Sequence, residues 1–164
     1  TLLDEIPLDA ARFFFNTREA NSHFEFDLDL AVEQSSQNPV YYVQYAHARI
    51  CSLLRTMAEQ GVTLEQCKKD ALALLKQPQE LELIRHLASL PSELDAAAKA
   101  YAPSKVTKYA TELATLFHKF YDACSIKYAE TPELQQARLL LCEAARQGIS
   151  NVLHILKVTC PESM

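Results

Sequence analysis

Glycine is nearly absent, with two in 164 residues, at positions 61 and 148. Phosphate cradles and dinucleotide fingerprints need several glycines where backbone meets phosphate, so both are excluded. The five cysteines, at 51, 67, 124, 142 and 160, are odd in number and widely spaced. That pattern fits neither a disulfide framework nor a zinc knuckle, and buried thiols in a reducing cytosol are expected. No apolar run approaches the roughly 20 residues that span a bilayer. Thr1-Leu2-Leu3-Asp4-Glu5 lacks the basic start of a signal peptide. A cytoplasmic location is expected.

Catalytic constellations are missing as well. The histidines, at 23, 47, 86, 118 and 154, form no His-x-x-x-His or Glu-x-x-His pair. No metal site of the helical-bundle kind is therefore expected. Glu82 and His86 stand four apart, the spacing of a surface pair on a helix. No glycine-flanked serine suggests a nucleophile elbow. No catalytic residue is assigned.

Charge is present but divided. The formal net charge is −5, unfavourable for nucleic acid as a sum, since phosphates are met by Lys and Arg. Residues 1–33 hold eight acidic side chains against Arg12 and Arg18. Residues 99–157 hold eight basic ones against five acidic. An RNA face confined to the trailing half would suit this split. Ordinary solvated helix faces would produce it too.

The chain reads as all-helical. Asn38 and Pro39 supply a cap and a first-turn proline, followed by Val43, Ala46, Ile50, Leu53 and Leu54 at helical spacing to about Gln60. Pro7 and Asp9 open an earlier helix to about Glu19, whose adjacent Phe13, Phe14 and Phe15 need contacts on more than one side. Either this chain or a missing domain could supply them. Residues 23–26 read as an extended connector, and Asp27 as the cap of a short helix. Thr63 and Gln66 suggest a capping box for a helix to Leu75. Pro78 and Pro91 each mark a helix start. A helix from about Lys105 to Tyr128 carries Val106, Tyr109, Ala110, Leu113, Phe117, Phe120 and Cys124 in one stripe. Thr131-Pro132-Glu133 opens the last element, in which Gly148 marks a bend or a close helix contact. Short connections make the whole a helical bundle.

Asn38-Pro39-Val40-Tyr41-Tyr42-Val43-Gln44-Tyr45-Ala46-His47-Ala48-Arg49 resembles the first helix of the anticodon-binding domain of bacterial arginyl-tRNA synthetases. Asp9-Ala10-Ala11-Arg12-Phe13-Phe14 resembles the D-A-x-R-F element before that domain, and residues 22–31 its connector. Phe117-His118-Lys119-Phe120-Tyr121-Asp122-Ala123-Cys124 and Pro161-Glu162-Ser163-Met164 are similar to family segments too, although Ser163 replaces the family's Arg. The H-I-G-H and K-M-S-K signatures of class I synthetases are absent. The resemblance therefore implies the C-terminal part of a larger enzyme: residues 1–37 as connector helices and 38–164 as the anticodon-binding bundle. Its implied partners are an arginine tRNA and the missing catalytic domain, with no DNA and no membrane. That catalytic domain would bind ATP and arginine, and the fragment itself would hold no cofactor or metal and would not aminoacylate.

Unpaired bases are held by stacking on aromatic rings and Arg planes, at roughly 1–3 kcal/mol per base. Tyr45 and Arg49 share one helix face, and Phe117, His118 and Tyr121 recur at similar spacing on the later helix. The resemblance implies that these two helices and Met164 form the cleft for the anticodon loop. Phe117 and Phe120 could instead be core. His47 could belong to the site or be a satisfied buried histidine, and Arg12 is expected in an ion pair or a domain contact. The rival reading is a helical protein-interaction module, without RNA binding, that uses the three-Phe helix. A small helical enzyme has no constellation to support it.

Overall fold

Asn38 begins the first long helix as its spacing requires. In the computed structural model, which describes all of residues 1–164, its side-chain oxygen accepts from the Val40 amide at 3.2 Å. Its amide nitrogen donates to the carbonyls of Ala31 and Glu33, tying the preceding short helix to this one. The elements are α1 (Leu2–Glu5), α2 (Leu8–Asn16), α3 (Leu28–Val32), α4 (Pro39–Glu59), α5 (Pro78–Lys99), α6 (Ser104–Ala123) and α7 (Pro132–Ile155). There is no strand. Asp27 caps α3 and Thr131 caps α7, each accepting from an amide three residues on. Residues 23–27 are irregular between α2 and α3, with Asp27 in extended backbone.

The bundle closes around α7, which packs on α4, α5 and α6 and on the 3-10 turns between α4 and α5. Phe13, Phe117, Phe120, Ile50, Leu113, Leu139, Ile149 and Leu153 are fully buried in one core. The stripe expected on α6 is buried throughout, from Val106 to Cys124. Phe13 and Phe14 enter the same core, so this chain itself covers two of the three adjacent phenylalanines. Phe15 remains 55% exposed and meets Phe24 and Phe26 at 6.0 and 5.4 Å between ring centroids.

Four local expectations give way to packing. Residues 64–75 form two 3-10 turns, Leu64–Gln66 and Lys69–Leu74, instead of one α-helix. A 3-10 turn advances further per residue than an α-helix, which lets this short segment cross the flank of α7 while burying Ala71 and Leu75. Pro91 does not start a helix but sits inside α5. Proline removes a hydrogen bond one turn back. The carbonyl it frees is that of Leu87, four residues back, and the adjacent His86 carbonyl accepts from the Tyr109 hydroxyl (2.7 Å) and from the Ser89 hydroxyl (2.7 Å). The His86 ring in turn donates to the Tyr109 carbonyl at 3.2 Å and stacks on the Tyr109 ring at 4.1 Å. His86 therefore locks α5 to α6 and makes no surface pair with Glu82. Burial first, then Glu93 and Glu112, push the Tyr109 phenol up to about 12, so it stays a donor. The fourth departure is the end of α6 at Ala123, well before Tyr128, where Cys124 turns into extended backbone.

Gly148 marks a close helix contact. A Cβ there would stand 2.9 Å from a Leu87 methyl and 3.2 Å from a Leu113 methyl. Gly148→Ala gains about 1 kcal/mol of helix propensity and meets a packing penalty of about 1–3 kcal/mol. The expected outcome is a lower Tm, with a net loss of up to about 2 kcal/mol. A raised Tm would mean that Leu87 yields freely.

Candidate nucleic-acid interface

On α4, residues 41, 45, 48, 49 and 52 share one side because three- and four-residue steps return to the same face. Tyr41 and Tyr45 lie nearly parallel there, their centroids 6.4 Å apart. Tyr45 is 42% exposed. Its ring also overlies His118 of α6, at 6.0 Å and 28°. One turn further along α4, the Arg49 guanidinium lies 4.0 Å from the centre of the Tyr121 ring. It donates to His118 Nδ1 at 3.1 Å and approaches Asp122 at 3.7 Å. The guanidinium is thus held by a ring below it and by acceptors at its edge. Arginine fixed in this way presents its remaining N–H groups in one orientation.

The end of the chain completes the cleft. Ser163 and Met164 face Tyr45, Arg49 and Arg55 across a hollow of about 230 Å³. A second hollow of about 240 Å³, lined by Ser36, Tyr41 and Tyr42, shares Tyr45 with it. A larger cavity, about 630 Å³, lies between α2 and α6, but its Lys105 and Lys108 are offset by Glu19 and Glu112. Arg18 and Lys105 meet Phe15 and Tyr101 in a further cavity of about 550 Å³, beside Glu19, whereas the smaller pair joins two arginines to the tyrosines of α4. No three His, Cys, Asp or Glu side chains converge where a metal ion could sit.

His118 is neutral by construction. Because Arg49 donates to Nδ1, the proton of the neutral ring sits on Nε2, which is buried without a hydrogen-bond partner. Burial, and then the Arg49 charge, hold its pKa below the ordinary histidine value, against Asp122. In the unfolded chain His118 takes up its proton near pH 6.5, while the folded chain does so only at lower pH. The unfolded state therefore binds more protons in that interval, so the contribution to stability is complete above about pH 6.5 and is lost as pH falls through the folded pKa. Urea midpoints of the native chain and His118→Asn should keep a constant difference above that pH and change relative to each other below it. A difference independent of pH would refute the neutral assignment.

Residues 43–164 match the model of the DALR anticodon binding domain. The chain belongs to the DALR anticodon-binding domain family. Proteins named arginine–tRNA ligase from Moorella thermoacetica and Caldanaerobacter subterraneus are each 50% identical over 163 residues, which is 99% of this chain and 29% of each relative. The DALR chain therefore spans less than a third of the curated relatives it matches. The structure is similar to that of arginyl-tRNA synthetase from Plasmodium falciparum, with a TM-score of 0.85 and 25% identity over 99% of this chain and 28% of that one. The Thermus thermophilus arginyl-tRNA synthetase gives 0.78 and 27%, covering 96% and 26%.

Within this DALR domain, Tyr45, Arg49, His118, Tyr121 and Met164 lie around one cleft. Phe117 departs from that set. It is fully buried and supports His118 and Tyr121 from beneath, at 5.5 and 5.9 Å. Its ring has no face left for a base, because the α6 stripe turns it into the core. His47 is buried too and donates from Nδ1 to the Pro161 carbonyl at 2.9 Å. Tyr41, Arg55 and Asp122 were not singled out from the sequence, although Tyr41 stands four residues before Tyr45. The cations of the cleft, Arg49 and Arg55, come from α4 and not from the basic trailing half. There, Arg138, Arg146 and Lys99 are engaged with Glu80, Glu143 and Asp95. No helix is long and apolar enough to cross a membrane.

Proposed function

We propose that this chain is the anticodon-binding part of an arginyl-tRNA synthetase and that its cleft holds unpaired anticodon bases of an arginine tRNA. One observation carries the reading. The Arg49 guanidinium is fixed over Tyr121 beside the exposed Tyr45 ring, which offers stacking planes and oriented donors at one place. Unstacked bases in loops are bound by that combination. Residues 1–37 then serve as the connector to a catalytic part that binds ATP and arginine. The partial exposure of Leu3, Leu8 and Phe15 in that segment supports a contact with the remainder of a longer protein. The same exposure is what a protein-interaction module would display, but it leaves the aromatic cleft unexplained.

A titration at low salt with an arginine tRNA and with an anticodon-substituted copy tests the reading. Tighter binding of the native anticodon is expected. Equal binding of both would reduce the cleft to a charged surface, and absence of binding would favour the interaction module.

A further inference from the structure

The leading Asp9-Ala10-Ala11-Arg12 motif makes no contact with the cleft, yet both of its charged side chains reach the same distant segment, residues 157–164. The Asp9 carboxylate accepts from the Thr159 amide at 3.1 Å, from the Thr159 hydroxyl, and from Gln44 Nε2 at 3.0 Å. Gln44 also donates to the Thr159 carbonyl at 2.9 Å. Arg12 Nη1 donates to the Lys157 carbonyl at 2.6 Å. Lys157 has φ +57°, a left-handed conformation uncommon for a side-chain-bearing residue. Such a conformation persists where its surroundings impose it.

From that anchor the tail runs along α4. Pro161 meets His47, and the Glu162 carbonyl accepts from Arg55 at 3.3 Å. Gln44, His47, Cys51 and Arg55 form one helical stripe, beside the stripe of Tyr41, Tyr45 and Ser52 that lines the cleft. Laying the tail on the first stripe leaves the second open and delivers Ser163 and Met164 to its edge. The arrangement binds three elements at one knot: α2 through Asp9, α4 through Gln44, and the tail through Thr159.

We propose that Asp9 and Arg12 are positioning residues for RNA binding, holding the tail so that Ser163 and Met164 form a wall of the cleft. This inference rests on the RNA-binding reading above. It makes α2 a sensor of cleft occupancy, since whatever RNA does to the tail is felt at Asp9, and the coupling is reciprocal.

The two methionines make the test direct. Met57 is fully buried and Met164 is 53% exposed, so carbon-13 methyl labelling of this chain yields one internal control and one reporter. Asp9→Asn places a donor against Thr159 and Gln44. It should move the Met164 methyl signal to its random-coil position and leave Met57 in place. Thr159→Val should do the same, and Thr159→Ser, which keeps the hydroxyl, should not. An unmoved Met164 signal in both Asp9→Asn and Thr159→Val overturns the proposal. With an arginine tRNA anticodon stem-loop as probe, Asp9→Asn and Met164→Ala should each weaken binding on the order of five- to tenfold. Their double variant should be no weaker than the worse single, as for contacting residues acting through one element. Losses that multiply would also overturn it. Absence of RNA binding by the native chain would overturn the functional reading alone, while the methyl spectra still decide the clamp.

Discussion

Replacing Glu80 with alanine should lower the stability of this domain by about 3–5 kcal/mol. Glu80 is fully buried, and one carboxylate oxygen accepts from Arg138 Nε at 2.7 Å. The other oxygen accepts from the Gln77 amide at 2.9 Å and so caps α5. Arg138, itself buried on α7, also donates to the Ser125 carbonyl at 2.5 Å in the loop after α6. One side-chain pair therefore joins α5, α7 and the α6–α7 connection. Removing the acid leaves a guanidinium in the interior with half of its partners gone, and a buried unpaired charge is far more costly than the pair is stabilising. Urea denaturation of the single variants measures the loss. The double variant Glu80→Leu with Arg138→Met should recover most of it, because apolar side chains of similar size substitute well for a buried pair. A loss below about 1 kcal/mol in Glu80→Ala would place the pair among weak surface bridges and contradict the geometry.

The second large effect concerns binding. Tyr45→Ala and Arg49→Ala should each weaken association with an arginine tRNA by about 5- to 150-fold, the equivalent of one lost stack of 1–3 kcal/mol. The Tyr45 variant should leave the Tm within a few degrees of native, since a half-exposed ring on α4 contributes little core. Arg49→Ala should also release His118, whose Nδ1 then loses its donor. Salt dependence separates the two roles open to Arg49. A contact to phosphate adds about 0.7 to the slope of log affinity against log salt, and a base contact does not. Phe117→Ala supplies the contrast. It should cost about 3–5 kcal/mol of stability as a large core truncation, with any loss of affinity following from loss of fold. Native affinity in a folded Arg49→Ala chain would remove the guanidinium from the interface.

Much of this fold was legible residue by residue. Asn38, Asp27 and Thr131 cap the helices that their local sequences announce, because a cap bond closes within two or three residues and needs no distant partner. The apolar period of α6 marks its buried stripe for a similar reason, since helix geometry alone decides which residues share a side. Pro91 misled for the opposite reason, as did the segment after Thr63, where the capping box with Gln66 forms but opens a 3-10 turn instead of an α-helix. Their signals are local, but the bond from Tyr109 to His86, 23 residues apart, and the flank of α7 offered better interactions than the local rule. Period also could not divide Phe117 from its neighbours Tyr121 and His118. All three lie on the inner half of α6, and only the position of α4 leaves Tyr121 and His118 at the edge of the cleft and Phe117 beneath it.

The charged residues show where the boundary falls. Arg138, Arg146 and Lys99 counted equally with Lys105 and Lys119 in the basic trailing half. In three dimensions the first three are neutralised by acids nearby, one of them 58 residues away. Arg12 was expected in an ion pair or a domain contact, and it makes no ion pair but donates from the leading segment to a carbonyl 145 residues on. By itself the sequence determined an all-α bundle, the starts of its main helices, the family resemblance, and the aromatic and arginine side chains of α4 that suit unpaired bases. Each of these depends on spacings of four residues or fewer, or on long ordered matches. Tertiary structure alone decided which of those side chains stay accessible, which charges are cancelled, and that Asp9 and Arg12 grasp the tail behind the cleft. Those outcomes depend on partners up to 150 residues apart, and a polar group's role follows from the partner that packing brings to it.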